Sequence, residues 1–141
     1  MREILFRGRL TNKSRWVYGC LINNIYGAVP AIMTEQSVDD AFNLDFEYDH
    51  VEEKTVGQFT GLTDKNGRKI FEGDVVRDEY NGGIARIAFL QQGCGWYLVF
   101  KNTDRRMGHR SRNSAYDNDL ELEVIGNIHD NPELLEVSED G

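Results

Sequence analysis

The side chains that could support chemistry include three histidines, and nucleophilic catalysis would require one of them beside a serine or cysteine. His50, His109 and His129 are the available general bases, and each would need a nucleophile on one side and an orienting group on the other. The chain has no Gly-x-Ser-x-Gly motif, and Cys94 lies in Gly-Cys-Gly-Trp, which matches no catalytic motif. We therefore expect exposed histidines, no catalytic residue and no enzymatic activity.

The sequence supports a metal or phosphate site no more strongly than it supports a catalytic site. Cys20 and Cys94 are isolated, so the paired spacing of a zinc site is absent. The alternating acids of residues 45–49 resemble the start of a calcium loop, but His50 and Val56 occupy the positions that need Gly and Glu. The glycine-containing segments lack the intervals of a phosphate-binding loop. The sequence predicts no metal, nucleotide or other cofactor.

A basic segment at residues 101–112 is the first feature that suggests binding. It has five basic residues against one acid, a local charge of +4 in a chain of net charge -8. Arginine binds phosphate bidentately. Trp96 and Tyr97 lie nearby in the sequence, and they are candidate side chains on which nucleobases could stack. The alternative is that these arginines neutralise acids of the same chain or of a neighbouring subunit. The candidate anion or nucleic-acid contacts are Lys101, Arg105, Arg106, His109, Arg110 and Arg112.

An acidic segment at residues 35–53 has eight acids and no Lys or Arg. A face of this kind must be solvated or must meet a basic partner. One such partner is the basic segment of another copy, which would give a heterologous, ring-forming homo-oligomer.

The elements that would position these segments are mostly strands. Strand-like runs at residues 3–10, 16–22 and 26–32 predict an N-terminal β-meander. Helical spacing and a capping-box-like pattern predict a short helix over residues 34–41. Strict alternation over residues 44–49 then predicts a strand with one buried and one solvated face. Cys20 and Cys94 lie in apolar runs, where we expect buried, reduced thiols.

The remaining residues predict a small barrel. A three-stranded meander spans residues 74–101, a long exposed loop or hairpin tip is expected over residues 102–118, and a last strand follows. Asn131-Pro132 predicts the start of a terminal helical turn. The predicted class is mainly β, a small SH3-like half-open barrel with an N-terminal β-meander and one or two short helices. Periodicity alone does not distinguish this fold from an OB-like barrel. The expected domains are residues 1–56 and 57–141.

The N-terminal residues alternate charged and hydrophobic side chains, and no apolar run is long enough to cross a bilayer. We expect a cytoplasmic protein without a membrane partner.

Two long stretches carry a resemblance to a known family. Residues 55–76, TVGQFTGLTDKNGRKIFEGDVV, and residues 123–135, EVIGNIHDNPELL, resemble the central and C-terminal signatures of the YopX family of phage and prophage proteins. The opening MREILFR is similar to the usual start of that family. The resemblance implies a mostly β protein with an SH3-like barrel, encoded by a phage or prophage of a bacterial host. It implies no activity and no catalytic residue.

Most of the signature has a scaffold interpretation, because its glycines fall at predicted turns. Its core candidates are Phe59, Leu62, Ile70, Phe71, Val75 and Ile125. Its polar members without an evident scaffold role are Gln58, Thr60 and Glu72, which are candidate partner contacts. The favoured hypothesis is a non-enzymatic interaction protein that binds a protein partner or its own copies. The alternative is a nucleic-acid-binding module that uses the basic segment.

Overall fold

The computed structural model describes residues 3–11, 14–22, 30–38, 44–79, 82–107 and 122–137. The chain forms two compact units, Met1–Phe59 and Thr60–Gly141.

Antiparallel strands dominate both units, which confirms the mainly β class. The strands are β1 (Phe6–Arg9), β2 (Trp16–Ile22), β3 (Ala31–Val38), β4 (Leu44–His50), β5 (Gly57–Thr63), β6 (Lys69–Phe71), β7 (Asp74–Asp78), β8 (Ile84–Leu90), β9 (Gly95–Val99), β10 (Asp104–Arg106) and β11 (Leu122–Asn127). The described part also contains a 3-10 turn at Glu53–Thr55 and one short helix, α1 (Glu133–Val137).

The first unit is a curled meander in the order β4-β3-β2-β1, and the start of β5 pairs with β1. An antiparallel bridge between Leu10 and Val51 joins the end of the β1 segment to the residue after β4. The curl encloses a core of Leu10, Val17, Ile32 and Val51. Gly8 is required here because a Cβ at this position would lie 2.7 Å from the Cβ of Val51.

The predicted helix over residues 34–41 is wrong for residues 34–38, which belong to β3. This strand pairs with β4 from Ala31 opposite His50 to Val38 opposite Leu44, with a bulge after Met33. Pairing along a whole strand gives hydrogen-bond partners to many backbone N–H and C=O groups. It therefore outweighs a local helix signal that covers only two turns. Residues 39–41 lie outside the described part.

The second unit contains a five-stranded sheet in the order β10-β9-β8-β7-β11. The last strand returns beside the first strand of the meander, an arrangement that fits the expected half-open SH3-like barrel. Its core residues are Ile70, Val76, Ala85, Ile87, Leu98, Met107, Leu122 and Val124. Of the core residues expected from the signature, Phe59, Ile70, Phe71 and Val75 are buried, whereas Leu62 and Ile125 are half-buried.

The turn between β5 and β6 is organised by the buried carboxylate of Asp64. Its Oδ1 accepts hydrogen bonds from the backbone N–H groups of Asn66 and Arg68, both at 2.9 Å. Its Oδ2 accepts one from the backbone N–H of Val124, also at 2.9 Å. Gly67 has a φ of 82°, which glycine adopts without strain. One signature carboxylate therefore fixes a turn and anchors β11.

Exposure differs from expectation at Met107 and at the two cysteines. Within the expected loop or hairpin tip of residues 102–118, residues 104–106 form strand β10, which pairs with β9, and Met107 is buried in the core. Residues 102–104 are exposed as expected, and residues 108–118 lie outside the described part. Both cysteines are exposed rather than buried, and both are free thiols. Cys20 faces away from the core of the first unit, and Cys94 lies in the turn before β9 with a φ of 51°.

Candidate functional site

Arg105, a candidate anion contact, instead pairs with an acid of its own unit. Its Nη2 lies 2.8 Å from Oδ2 of Asp78, whose side chain is only 1% exposed. Its guanidinium also lies over the ring of Phe100, with Cζ 5.6 Å from the ring centroid. Neutralisation of the chain's own acids, the alternative weighed for this segment, therefore applies to Arg105.

Arg106 lies on the opposite face of β10, and its guanidinium is exposed. Its Nη1 donates a hydrogen bond of 2.6 Å to the carbonyl of Gly93, and its Cζ lies 5.7 Å from the ring centroid of Tyr97. A Cβ on Gly95 would lie 2.7 Å from Arg106 Nη2, so glycine at this position makes room for the guanidinium. The structure thus places the exposed Arg106 beside the half-buried Tyr97 on the β9–β10 hairpin.

The other members of the basic segment do not add to a described site. Lys101 is exposed in the turn after β9, and His109, Arg110 and Arg112 lie outside the described residues. Trp96 packs partly against the core of the second unit, and its ring makes an edge contact with Phe89 at 5.3 Å between centroids.

Of the three polar signature residues, Gln58 belongs to the first unit and Thr60 and Glu72 belong to the second. The Thr60 hydroxyl is buried, donates to the carbonyl of Ile70 at 2.8 Å and accepts from the N–H of Leu62 at 3.2 Å. Thr60 therefore has a scaffold role. Gln58 is half-buried in the first unit opposite Phe6, and Glu72 is half-buried in the turn between β6 and β7 of the second unit.

A surface that the sequence did not predict lies on the first unit, and we call it the aromatic strip: Tyr18, Cys20, Met33 and Tyr48. Cys20 is opposite Met33, and Met33 is opposite Tyr48, so the three lie in a row across β2, β3 and β4. Tyr18 is two residues before Cys20 on β2 and shares its face. Tyr18 is 48% exposed and Tyr48 is 45% exposed. The core of the first unit lies on the other face, with Val17 and Ile32.

Acidic side chains alternate with the tyrosine of the aromatic strip along β4. Glu47 and Asp49 flank Tyr48 on β4, the strand at which the sheet order ends. Glu52, a little further on, pairs with Arg9 at 3.1 Å between Oε2 and Nη2. Because side chains alternate along a strand, Glu47 and Asp49 lie on the face of β4 opposite to Tyr48, and Asp49 is opposite the core residue Ile32.

The clearest perturbation of ionisable groups lies on the surface of the second unit. A hydrogen bond between Lys65 and Glu79 raises the pKa of Lys65 and lowers the pKa of Glu79. Both side chains are exposed, so the pair is a surface link rather than a reactive centre. Among the residues that the structure describes, no three His, Cys, Asp or Glu side chains are grouped to hold a metal ion.

Two small β units, each with its own core and with an exposed aromatic strip on the first, define a mainly β protein with a candidate interaction surface. No helix in the described ranges is long and apolar enough to span a membrane. The chain belongs to the YopX protein family, whose model matches residues 5–136.

The structure also resembles a solved one. The crystal structure of protein EF1440 from Enterococcus faecalis matches with a TM-score of 0.66 and 26% sequence identity, over 96% of this chain and 99% of that chain. No curated protein matches the chain.

Proposed function

We propose that this protein is a non-enzymatic interaction protein, encoded by a phage or prophage and acting in the cytoplasm of a bacterial host. It binds a protein partner, or its own copies, through the aromatic strip. The observation that carries the proposal is the exposure of nearly half of Tyr18 and Tyr48 on one face of a small sheet.

Aromatic side chains supply large contact area for little loss of rotamer freedom, and they are enriched at the centres of interfaces. Cys20 and Met33, which have polarisable side chains, stand between the two tyrosines in the register of the sheet. None of the four residues belongs to the core cluster of the first unit, and the exposed ring of Tyr48 makes an edge contact with the ring of His50 at 5.7 Å between centroids.

The test is co-purification from bacterial cells that express the full chain. We expect a partner, or a second copy, to be retained by the wild type and lost from a Tyr18→Ser, Tyr48→Ser double variant. Phe89→Ser is the matched control, because Phe89 is also 45% exposed but lies in the second unit. Sedimentation of the purified protein separates self-association from binding of another protein. Unchanged retention by a folded double variant would contradict the proposal.

Nucleic-acid binding is the second candidate, and the Arg106–Tyr97 pair supports it. An exposed guanidinium held over an aromatic ring offers both a phosphate contact and a stacking surface. Lys101 extends the positive charge of this hairpin, whereas Arg105 is already used by Asp78. The basic residues available to a polyanion in the described part are therefore fewer than the segment's charge implies.

A further inference from the structure

We infer that one face of the sheet in the second unit binds single-stranded nucleic acid, and that Arg86, which lies outside the basic segment, is one of its contacts. This step rests on the second candidate function and specifies both the form of the nucleic acid and the side chains that hold it. A base stacks on Tyr97, and phosphates to either side of that base meet Arg86 and Arg106.

The register of β8, β9 and β10 brings these side chains to one face. Residues directly opposite one another in antiparallel strands share a face. Ile87 and Leu98 are opposite one another and are each 1% exposed, so they mark the core side of these strands. The rows before and after them therefore point away from the core. We call these two rows the outer face: Ala88, Tyr97 and Arg106 in one row, and Arg86, Val99 and Asp104 in the other.

Tyr97 is the stacking surface of the outer face. A Cβ on Gly93 would collide with the phenol of Tyr97, so the glycine makes room for this ring. The carbonyl of Gly93 also accepts the hydrogen bond from Arg106, and one turn thus holds both side chains. On the other side of Tyr97 the row continues with Ala88, whose small side chain leaves space for a base. Trp96 packs instead against the core of the second unit.

The two arginines of the outer face stand on opposite sides of this ring. Arg106 is exposed and follows Tyr97 on the β10 side of the row. Arg86 is half-buried on β8 and is the diagonal neighbour of Tyr97, at a backbone separation of roughly 7–8 Å. Guanidinium groups bind phosphate oxygens bidentately. Asp104 is the acid in these rows, so positive charge exceeds negative charge on this face of an acidic chain.

The aromatic ring favours a single strand over a duplex. In a duplex the faces of the bases are covered by their neighbours, whereas a single strand can place a base on a protein side chain. A face that acted through charge alone would instead favour the duplex, because the duplex has the higher density of phosphates. Preference for a single strand therefore separates stacking on Tyr97 from simple attraction of phosphates.

The experiment is fluorescence anisotropy of the full chain at low salt with four labelled oligomers of equal length. They are oligothymidylate, oligouridylate, an abasic DNA strand and a DNA duplex. We expect oligothymidylate or oligouridylate to bind at least about fivefold more tightly than the abasic strand, and more tightly than the duplex. The tighter of the first two identifies DNA or RNA as the ligand.

Variants assign the contacts. Tyr97→Leu should weaken binding of the preferred oligomer at least about fivefold and leave the abasic strand unaffected, whereas Tyr97→Phe should retain binding. Arg86→Gln should lower the slope of log affinity against log salt by about 0.7, the value for one phosphate of a single strand. The matched control is Arg68→Gln, an exposed arginine of the second unit, which should leave the slope unchanged. Asp104→Asn should strengthen binding about twofold.

Thermal unfolding shows whether each variant is folded. Equal affinity for the abasic strand, tighter binding of the duplex, or a wild-type salt slope in Arg86→Gln would overturn the inference and leave nucleic-acid binding in place. Absence of binding to all four oligomers would overturn the second candidate function with it. The protein partner proposed for the aromatic strip is tested separately, by co-purification.

Discussion

The guanidinium of Arg105 reaches across the half-open barrel to Asp78, with 2.8 Å between Nη2 and Oδ2. The two residues belong to β10 and β7, which are separated by two strands in the sheet order. The contact is chiefly Coulombic, because Asp78 Oδ2 accepts no well-aligned hydrogen bond from the described residues. Curvature of the sheet therefore brings together two charges that the strand order alone keeps apart.

Replacement of Arg105 should destabilise the second unit. In Arg105→Met the buried Asp78 loses the positive charge of Arg105, and we expect the free energy of unfolding to fall by about 1–3 kcal/mol. The lower part of this range is favoured because the Arg105 side chain is 35% exposed. Urea unfolding measures the change. Lys101→Met, an exposed neighbour, should stay within about 0.5 kcal/mol of the wild type. Equal effects of the two substitutions would show that the ion pair contributes nothing.

Removal of the Asp64 carboxylate should have a larger effect. Asp64→Ala leaves three backbone N–H groups without their acceptor, and we expect a loss of about 3 kcal/mol in the free energy of unfolding. Asp64→Asn keeps one oxygen and should lose less. The control is Asp104→Ala, an exposed acid on β10. A loss below that of the control would contradict the anchoring role of this carboxylate.

The Lys65–Glu79 pair predicts a defined pH dependence. The Lys65 hydrogen bond lowers the pKa of Glu79 from 4.5, so its contribution is present above pH 4.5 and is lost as the pH falls through the lowered value. The same bond raises the pKa of Lys65 from 10.5, so its contribution is present below pH 10.5 and is lost at higher pH. The difference in unfolding free energy between the wild type and Glu79→Gln should be constant between these limits and should shrink outside them. A difference that grows as the pH falls below 4.5 would reverse the sign that we assign.

Nucleic-acid binding can be tested on the two exposed basic residues of the β9–β10 hairpin. Lys101→Ala with Arg106→Ala should weaken binding of single-stranded DNA or RNA and lower the slope of log affinity against log salt by roughly one to two. Arg68→Ala with Lys69→Ala removes the same charge from the end of the β5–β6 turn and the first residue of β6, and it serves as control. Filter binding at several salt concentrations gives both quantities. No binding of either polymer at low salt would exclude this function.

The strands were predictable where the signal is local. The predicted bounds for residues 16–22 agree with β2, because this run of strand-forming residues lies between turn residues. The helix expected at residues 34–41 failed because the pairing of β3 with β4 involves residues distant in sequence. Strand β10 was missed because it is short and polar, and only Met107 beside it gave an apolar signal.

The candidate site was less predictable. The alternation of side chains along a strand puts Tyr18 and Cys20 on one face of β2, but it does not tell which face is buried. That choice is made by the curl that places Val17 and Ile32 beside Val51. The internal role of Arg105 could not be predicted for a similar reason, because it depends on curvature that brings β7 and β10 together.

The bond from Val124 N–H to Asp64 Oδ2 has a consequence for synthesis on the ribosome. The two residues are 60 positions apart, so the turn at Asp64 remains incomplete until β11 has left the exit tunnel. The first unit, by contrast, has all of its strands once β5 has begun. We expect the nascent chain to acquire protease resistance in two stages, the first unit before the second. In the interval the Asp64 carboxylate is hydrated, and its last backbone partner arrives only with the final strand.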